Sequence, residues 1–331
     1  MDTFKSFESK LYTVNDQSFT DIALELFQFQ AVHNPVYKAF VENLAIDIRS
    51  VNSLEQVPFL PITFFKDQVI QSGDWRPDVI FSSSGTTSNT TSRHSVYDLG
   101  FYLQHAQRCF EFFYGPVTDY HFLALLPSYL ERQGSSLIAM MDHFIKESRS
   151  DYSSFYLYDL QKLAEDIERL RYNERKTVLW GVSFAWLDLA ENHKVDLSPF
   201  LVFETGGMKG RRREITRGAL HDVLREAFNV SKVYSEYGMT ELLSQAYTKG
   251  GHRFFCPPWM RVIGRELTDP LQKGLLNETG GINVVDLANW HSIGFIETED
   301  LGKVYADGSF EILGRMDNSD MRGCNLLLEG I

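Results

Sequence analysis

The chain has 331 residues, 44% hydrophobic and 23% charged, a globular composition that is long enough for one large domain or two ordinary ones. Its 32 Lys and Arg residues against 44 Asp and Glu leave a formal net charge of −12, which argues against a protein that coats DNA or RNA. The N-terminus has no basic segment followed by an apolar run, and no apolar stretch reaches about 18 residues, so we expect neither a signal peptide nor a membrane span.

Residues 1–80 are predicted to form a mostly helical segment that packs on the main domain. Apolar residues recur near helical spacing between Ser18 and Leu44, and Pro35 interrupts this pattern. A strand-like run with Pro61 near its start follows.

From residue 81 to about 250, apolar strands alternate with amphipathic helices. The first strand enters a Ser- and Thr-rich loop, and the helical pattern over 96–115 is predicted to follow that loop. Further strands are predicted over 120–129, 153–159, 176–183, 199–207 and 231–241, separated by helices over 135–148, 160–174, 184–193 and 212–229. This alternation predicts an α/β domain with a largely parallel sheet. From residue 251 to 331, short strands and an "ADG" hairpin signal predict a smaller β-rich subdomain that ends in a C-terminal tail.

The loop "SSSGTTSNTT", residues 82–91, is either a solvated linker or an anion-binding loop. Ser- and Thr-rich stretches are commonly solvated connections. Between a strand and a helix, however, small residues can turn several backbone N–H groups toward one point, and such a nest holds phosphate oxygens. The position of the loop therefore favours anion binding, although the GxxxxGK[ST] motif of P-loop NTPases is absent from it.

Three further features have ordinary interpretations when each is taken singly. The pair Gly206–Gly207 after an apolar strand permits a flat ligand to approach the backbone, or is only a tight turn. The stretch "YGMTE", residues 237–241, is a turn before a helix or part of a site. Asp300 just past one strand and Arg315 after another are surface charges or ligand contacts.

Taken together and in this order, these stretches resemble the adenylate-forming superfamily, which includes acyl-CoA synthetases, luciferases and the adenylation domains of peptide synthetases. Members carry an SGTTGxPK loop, a paired-Gly turn, a YGxTE loop, a TGD strand end and a GRxDD hinge. This chain has "SSGTTSNTT", "GGMKG", "YGMTE", "TED" and "GRMDN", over residues 81–323. The resemblance implies an adenylate-forming α/β fold.

The resemblance also implies a site for ATP and Mg²⁺. The Ser/Thr/Gly loop would cradle the ATP phosphates, and the paired glycines would border the adenine. Tyr237, followed in the same turn by Gly238, would stack on the adenine ring. The phosphate-binding residues would be Ser84, Gly85, Thr86 and Thr87, and the adenine-bordering pair would be Gly206 and Gly207.

The remaining implied roles concern the ribose and the reacting phosphate. Thr240 would contact the α-phosphate, and Glu241 would help to hold Mg²⁺. Asp300 would accept hydrogen bonds from the ribose hydroxyls, with Arg315 nearby. In the implied reaction a carboxylate attacks the α-phosphorus of ATP and expels pyrophosphate. The enzyme then has to align the reactants and neutralise charge.

The sequence departs from the family pattern at two places. Where the loop motif has its later Gly, Pro and Lys, this chain has Ser88, Thr90 and Thr91. Arg93 or His94 either supplies the missing positive charge or is simply solvated. Family members usually continue after GRxDD into a lid domain of about a hundred residues. We expect no C-terminal lid domain here, because the sequence ends at Ile331.

The three cysteines indicate reduced thiols and a cytoplasmic location, because they are far apart and form no CxxC pair. Cys324 lies nine residues after Arg315, which resembles the acyl-protein synthetase of the bacterial luminescence fatty-acid reductase, and the sequence around Cys256 is also similar to that branch. That branch moves the acyl group from its adenylate to its own cysteine. The other interpretation of Cys324 is a small buried apolar residue.

Three hypotheses follow. The first is an ATP-dependent enzyme that activates a fatty or related carboxylic acid and passes the acyl group to Cys324 or to an acyl-accepting reductase or carrier protein. The second is a phenylacetate-CoA-ligase-like enzyme, with CoA as its acceptor, whose lid is lost or supplied by another chain. The third is a non-catalytic adenylate-binding module that senses or scaffolds. The nine His form no HExxH or HxH pattern, so no zinc site is expected.

Overall fold

The computed structural model describes residues 2–83, 91–127, 134–206, 215–267, 269 and 272–316. The N-terminal segment contains helices α1 (Asp2–Leu11), α2 (Phe19–His33), α3 (Pro35–Asn43) and the short α4 (Phe64–Asp67). Asn34 separates α2 from α3: its side chain accepts a hydrogen bond from the Tyr37 N–H, and Pro35 takes the first helical position. The predicted interruption at Pro35 is thus confirmed.

The buried side chain of Gln30 joins α2 to a distant part of the chain. Its Nε2 donates to the carbonyl oxygens of Asn289, Trp290 and Ser292, and its Oε1 accepts from the Gly294 N–H. A buried amide that satisfies four backbone partners fixes the N-terminal helices against the turn formed by residues 289–294.

Five strands form the parallel part of the main sheet, in the order β5-β4-β6-β7-β8. They are β4 (Tyr120–Leu125), β5 (Ser154–Phe155), β6 (Lys176–Val182), β7 (Leu201–Thr205) and β8 (Val233–Tyr237). The helices of this part are α5 (Leu99–Tyr114), α6 (Ser136–Glu147), α7 (Leu160–Leu170), α8 (Ser183–Asn192) and α9 (Arg217–Phe228). The predicted alternation of strands and helices is confirmed over 96–237. The last helix begins later than expected, at Arg217, because the Thr216 hydroxyl caps it.

The sheet continues without a break into antiparallel strands. They are β9 (Ala246–Thr248), β10 (Phe254–Phe255), β11 (Met260–Arg265), β12 (Lys273–Leu275), β13 (Thr279–Asp286), β14 (Phe295–Val304) and β15 (Phe310–Arg315). The full order is β12-β11-β13-β14-β15-β10-β9-β8-β7-β6-β4-β5, and β1 (Leu60–Pro61) pairs in parallel with β14. The predicted boundary at residue 251 falls in the turn between the paired strands β9 and β10. The parts on either side of it therefore share one sheet.

A second, two-stranded sheet differs from the sequence expectation. Strand β2 (Val79–Ser82) pairs antiparallel with β3 (Arg93–Val96), which lies where the sequence predicted no strand before the helix. The strand-like run after Pro61 is also helical in part, since α4 turns there and buries Phe65. Both segments are too short for their period to separate strand from helix.

The main sheet carries helices on both of its faces. On one face Trp180, Phe203 and Tyr234 stack across three strands, with ring centroids 4.8 and 5.1 Å apart, and Tyr114 of α5 packs on this row. On the other face lies Gly181, where an added Cβ would stand 2.9 Å from Trp186 Nε1 of α8. Among the residues that the structure describes, no helix is long and apolar enough to cross a membrane.

Candidate functional site

The candidate site lies where β7 and β8 end, at the carboxyl edge of the parallel strands, which is where α/β sheets commonly bind ligands. Gly206 follows β7 with φ = 72°, a conformation that favours glycine, and its carbonyl accepts a 2.7 Å hydrogen bond from Ser183 Oγ. Thr205 and Glu236 are register partners in the adjacent strands, and the Thr205 hydroxyl donates to the Glu236 carboxylate. The two strand ends are thus joined by side chains as well as by the ladder.

Gly238 is required by the packing of the turn after β8. A Cβ added at this position would lie 2.1 Å from Glu236 Oε1, well inside van der Waals contact. A side chain here would force either the "YGMTE" turn or the buried Glu236 carboxylate, which the Thr205 hydroxyl holds, to shift.

Three of the sequence-predicted residues meet at one point. The Tyr237 hydroxyl donates a 2.7 Å hydrogen bond to Asp300 Oδ2, and Arg315 Nε lies 3.6 Å from Asp300 Oδ1. Asp300 and Arg315 are register partners in the antiparallel pair β14–β15, so the sheet itself places the carboxylate beside the guanidinium. Asp300 and Arg315 lie 63 and 78 positions after Tyr237 in the sequence, and the fold brings all three together.

Tyr237 is held firmly in this arrangement. Its side chain is buried, and its ring lies 5.2 Å from Phe310 and 5.8 Å from Phe254, measured between centroids. Burial, and then the Asp300 charge, raise the pKa of the Tyr237 hydroxyl well above its usual value, so it acts as a hydrogen-bond donor at neutral pH. The bond to Asp300 was not foreseen in the sequence, and the predicted stacking on adenine stays a prediction.

Thr240 and Glu241 of the "YGMTE" turn differ in exposure. Glu241 is 4% exposed, and burial raises the pKa of its carboxyl group. The Ser92 hydroxyl and the Arg315 charge act against that rise, whereas the Asp300 charge adds to it. Thr240 is half-buried. The carboxylates of Glu241 and Asp300 and the Arg315 guanidinium therefore share one electrostatic environment.

Side chains from elsewhere hold the backbone of this turn. His94 Nδ1 donates a 2.8 Å hydrogen bond to the Thr240 carbonyl, and Asn289 Nδ2 donates one of the same length to the Glu241 carbonyl. Burial lowers the pKa of His94 to about 4, so its ring is neutral at physiological pH. The suggestion that His94 supplies a missing positive charge is therefore wrong, while Arg93 is exposed.

Several predicted residues lie outside the described part of the chain. They are Ser84, Gly85, Thr86, Thr87, Gly207 and Cys324. The structure does show how the ends of the first loop are joined: Ser83 N–H donates to the Ser92 carbonyl, and Ser92 N–H donates to Ser83 Oγ, both at 3.0 Å. The two described cysteines are poor nucleophiles, because burial raises the pKa of Cys109 to about 12 and also raises that of Cys256.

A buried ionic cluster beside the site was missed in the sequence. Glu204 Oε1 accepts from Ser235 Oγ at 2.6 Å and from Arg217 Nε at 3.0 Å, and it lies 3.4 Å from His221 Nε2. Burial acts to raise the pKa of Glu204, but its partners outweigh burial and hold that pKa below the usual value. The only signal in the sequence was an acidic residue inside an apolar strand, "PFLVFET".

The ionic cluster touches the rest of the site through aromatic contacts. The Arg217 guanidinium lies over the Phe254 ring at 4.5 Å, and Phe254 in turn contacts Tyr237. Ser183, which donates to the Gly206 carbonyl, also lies 3.3 Å from Glu204 Oε2. The ionic cluster is therefore linked to the ends of both β7 and β8.

The described residues were also tested for a metal site. They contain no group of three or more His, Cys, Asp or Glu side chains placed to hold a metal ion. Glu241 alone is compatible with Mg²⁺, since this ion commonly takes one or two protein carboxylates and completes its shell with waters and substrate phosphates. Within the described part of the chain, the donor set therefore fits a magnesium ion that arrives with a nucleotide.

Comparisons with known proteins agree on the fold. The structure of ATP-bound MatB from Rhodopseudomonas palustris has a TM-score of 0.53 and 17% identity, over 73% of this chain and 49% of MatB. The chain thus spans about half the length of MatB. A 2-hydroxyisobutyryl-CoA ligase, solved with 2-HIB-AMP and CoA in the thioesterification state, has a TM-score of 0.66 and 16% identity, over 92% of this chain and 68% of the ligase.

The open conformation of the same ligase, also solved with 2-HIB-AMP and CoA, has a TM-score of 0.64 and 14% identity over 92% of this chain and 70% of the ligase. No protein-family profile and no curated protein sequence matches the chain. At these identities the similarity concerns the fold, and it confirms the fold predicted from the sequence. The chain has the mixed α/β fold of adenylate-forming enzymes.

Proposed function

We propose that the protein activates a carboxylic acid, fatty or related, with ATP, forms an acyl-adenylate with release of pyrophosphate, and transfers the acyl group to a thiol. The observation that carries this proposal is the meeting of Tyr237, Asp300 and Arg315 beside Glu241, at the carboxyl edge of the sheet. These residues come from the motifs that resemble the adenylate-forming superfamily. MatB, which shares the fold, was solved with ATP, and the 2-hydroxyisobutyryl-CoA ligase with an adenylate and CoA.

In this proposal Asp300 binds the ribose. Tyr237 uses Oδ2 of its carboxylate, while Arg315 lies at 3.6 Å from Oδ1, a distance that leaves lone pairs for two hydroxyl donors. Gly206 and Gly238 bring unshielded backbone to the edge where the base would lie. In this proposal Tyr237 contributes twice, since its ring borders the adenine and its hydroxyl orients Asp300.

In this proposal Thr240 and Glu241 act at the reacting phosphate. The Thr240 hydroxyl would donate to an α-phosphate oxygen, and the Glu241 carboxylate would help to hold Mg²⁺, with the phosphates bound by the Ser84–Thr87 loop. When bound, Mg²⁺ supplies positive charge to the phosphate oxygens. The substrate carboxylate attacks the α-phosphorus, the bond from that phosphorus to the bridging oxygen breaks, and pyrophosphate leaves. The protein's part is alignment and charge neutralisation.

In the second proposed step a thiolate attacks the acyl carbonyl carbon. A carbon–sulfur bond forms, the bond from the acyl carbon to the AMP oxygen breaks, and AMP leaves as the anion. Cys324 is the proposed acceptor in this chain, and a reductase or carrier-protein thiol is the final one, whereas transfer to CoA characterises the ligase alternative. A thioester protects the activated acyl group from hydrolysis while leaving it transferable. The proposed location is the cytoplasm, where thiols stay reduced.

Carboxylate-dependent exchange of labelled pyrophosphate into ATP tests the first step. Purified protein with Mg²⁺, ATP and a panel of straight-chain, branched and hydroxylated acids should show exchange that depends on one class of acid. A phenylacetate-CoA-ligase-like enzyme would also show exchange, but would then place the acyl group on added CoA. Saturable ATP binding without exchange for any acid would favour the non-catalytic module and contradict the proposal.

A further inference from the structure

Strand β3 contacts the "YGMTE" turn through alternate residues of one face. Ser92, just before the strand, and His94 are both buried, whereas Arg93 between them is exposed. A hydrogen bond from the Ser92 side chain lowers the pKa of the Glu241 carboxyl group, against the effect of burial. His94 Nδ1 donates to the Thr240 carbonyl at 2.8 Å. The segment that closes the first loop thus touches both residues proposed to act at the α-phosphate.

The backbone of the turn depends on these side chains. After β8 ends at Tyr237, the Thr240 and Glu241 carbonyls accept from His94 and from Asn289 Nδ2, both at 2.8 Å. These two consecutive carbonyls are outside any strand or helix. The Thr240 carbonyl belongs to the peptide between Thr240 and Glu241, and the Glu241 carbonyl belongs to the next peptide. The two hydrogen bonds therefore fix two consecutive peptide planes, and with them the backbone that carries the Thr240 and Glu241 side chains.

The tautomer of His94 follows from its partner. A carbonyl oxygen can only accept, so the hydrogen must lie on Nδ1. The ring is neutral, since burial lowers its pKa to about 4, and Nε2 therefore carries no proton. Phe65 packs edge-on against the ring at 5.6 Å between centroids, which fixes the plane in which Nδ1 donates.

We propose that His94 is a positioning residue for the adenylation step: its Nδ1–H fixes the Thr240 carbonyl, and β3 thereby holds the backbone of Thr240 and Glu241 in the arrangement that the proposed reaction requires. This inference rests on the proposed function. It assigns to His94 an orienting hydrogen bond and no proton transfer. The competing explanation is that His94 only fills space beneath the turn, as buried histidines commonly do.

Three substitutions separate the two explanations. In His94→Asn, Nδ2 is attached to Cγ as Nδ1 is in histidine, so the donor is retained close to its native place. In His94→Gln the amide nitrogen lies one atom further along the side chain, at the level of Nε2. His94→Leu fills much of the same volume without any donor. If His94 positions the turn, activity should be highest in His94→Asn, lower in His94→Gln and lowest in His94→Leu. If His94 only fills space, His94→Asn should be no more active than the other two variants.

The measurement is pyrophosphate exchange, with kcat and the KM values for ATP and acid determined separately. We expect kcat to fall about tenfold in His94→Leu, the scale of one hydrogen bond whose loss leaves a buried acceptor unpaired. His94→Asn should recover at least half of the wild-type kcat, and the KM for the acid should stay within about twofold in all three variants, since no acid contact is changed. Asn289→Ala, which removes the donor to the next carbonyl, should lower kcat in the same way.

Each outcome decides the inference. Recovery in His94→Asn but not in His94→Gln supports it, and thermal unfolding of every variant shows whether the fold is retained. Should His94→Leu fail to fold, the comparison of Asn with Gln still decides. Equal kcat values in the wild type and all His94 variants would overturn the inference while leaving the proposed function intact. Absence of exchange in the wild type, with every acid, would overturn both.

Discussion

At the scale of one residue, the sheet fixes the orientation of the Asp300 carboxylate before any ligand binds. Its carboxylate is 7% exposed, and its two oxygens are oriented by the Tyr237 hydroxyl and the Arg315 guanidinium, which come from two other strands. Orientation before binding reduces the entropy that a ligand must lose. A nucleotide that offers two hydroxyl donors would meet an acceptor already held in place.

We expect Asp300→Asn to weaken ATP binding by about tenfold or more, the scale of one or two hydrogen bonds to a charged acceptor at roughly 1.5–3 kcal/mol each. Affinity for the acid should not change, because Asp300 is assigned only to the ribose. Calorimetric titration with each ligand measures both affinities. Tyr237→Phe is the matched control, since it removes the oriented donor but keeps the carboxylate, and should cost less ATP affinity. Equal losses for ATP and acid would argue against the ribose role.

Glu241 combines a proposed role in holding Mg²⁺ with a cost in stability. Its folded pKa is raised by burial, so its charged form is disfavoured in the folded state relative to the unfolded chain. A raised acid pKa contributes stability only below the unfolded value of about 4.3, and that stability is lost as pH rises through the folded pKa. At neutral pH the buried carboxylate therefore opposes folding until a cation binds.

We accordingly expect Glu241→Gln to lower pyrophosphate exchange by about 10²-fold, the scale of one lost charge-stabilising group. Without nucleotide, the same variant should be more stable than the wild type at pH 7–8, and this gain should vanish near pH 4. Denaturant unfolding across that pH range measures the stability, and exchange at several Mg²⁺ concentrations measures the activity. Unchanged exchange would contradict the metal assignment, whereas a stability gain that persists at pH 4 would contradict the burial argument.

At the scale of elements, the turn after β8 is shaped by neighbours on every side. Glu236 restricts Gly238, β3 holds Thr240 through His94, and Asn289 from the segment between β13 and β14 holds Glu241. The motif spacing identified this turn in the sequence, because Gly and the polar residues follow an apolar strand. Its supports could not be predicted, since His94 lies 146 positions before Thr240 and nothing local signals that contact.

We expect Gly238→Ala to displace the turn, because its Cβ would lie 2.1 Å from Glu236 Oε1. Overpacking of this kind costs about 1–3 kcal/mol, and the displaced turn should also lower pyrophosphate exchange at least tenfold. Gly251→Ala is the matched control, since nothing lies within 4 Å of the Cβ it would add. Denaturant unfolding and exchange are measured on both variants. If the two behave alike, the close approach to Glu236 does not constrain the turn.

At the scale of the whole molecule, a parallel half and an antiparallel half share one sheet, and the site lies where they meet. The alternation of apolar strands with helices predicted the parallel half, and the hairpin at Asp307–Gly308 was also signalled in the sequence. The joining of the halves through β8, β9 and β10 was not predictable, because strand pairing depends on long-range packing rather than on local pattern. The short strand β3 was missed because its four residues are too few for their period to separate strand from helix.

The full chain is also needed to test whether Cys324 accepts the acyl group in the proposed second step. With labelled acid, ATP and Mg²⁺, the protein should acquire label that neutral hydroxylamine removes, because thioesters react with this nucleophile and amides do not. Cys324→Ser should abolish the label while keeping pyrophosphate exchange within about twofold, since adenylation precedes transfer. Cys256→Ser is the matched control and should label normally, in keeping with a thiol whose pKa is raised by burial. Label that persists in Cys324→Ser, or that appears only on added CoA, would favour the ligase hypothesis.

The central claim is that a carboxylate oxygen attacks the α-phosphorus of ATP, and an oxygen-18 experiment tests it most directly. The acid that supports exchange is supplied with both carboxylate oxygens labelled, together with ATP, Mg²⁺ and a thiol acceptor, and the products are analysed by mass spectrometry. Since the bond between the acyl carbon and the AMP oxygen breaks in the second step, one labelled oxygen should appear in AMP and none in inorganic phosphate. Label in inorganic phosphate, with ADP as the nucleotide product, would show attack at the γ-phosphorus and would contradict the account.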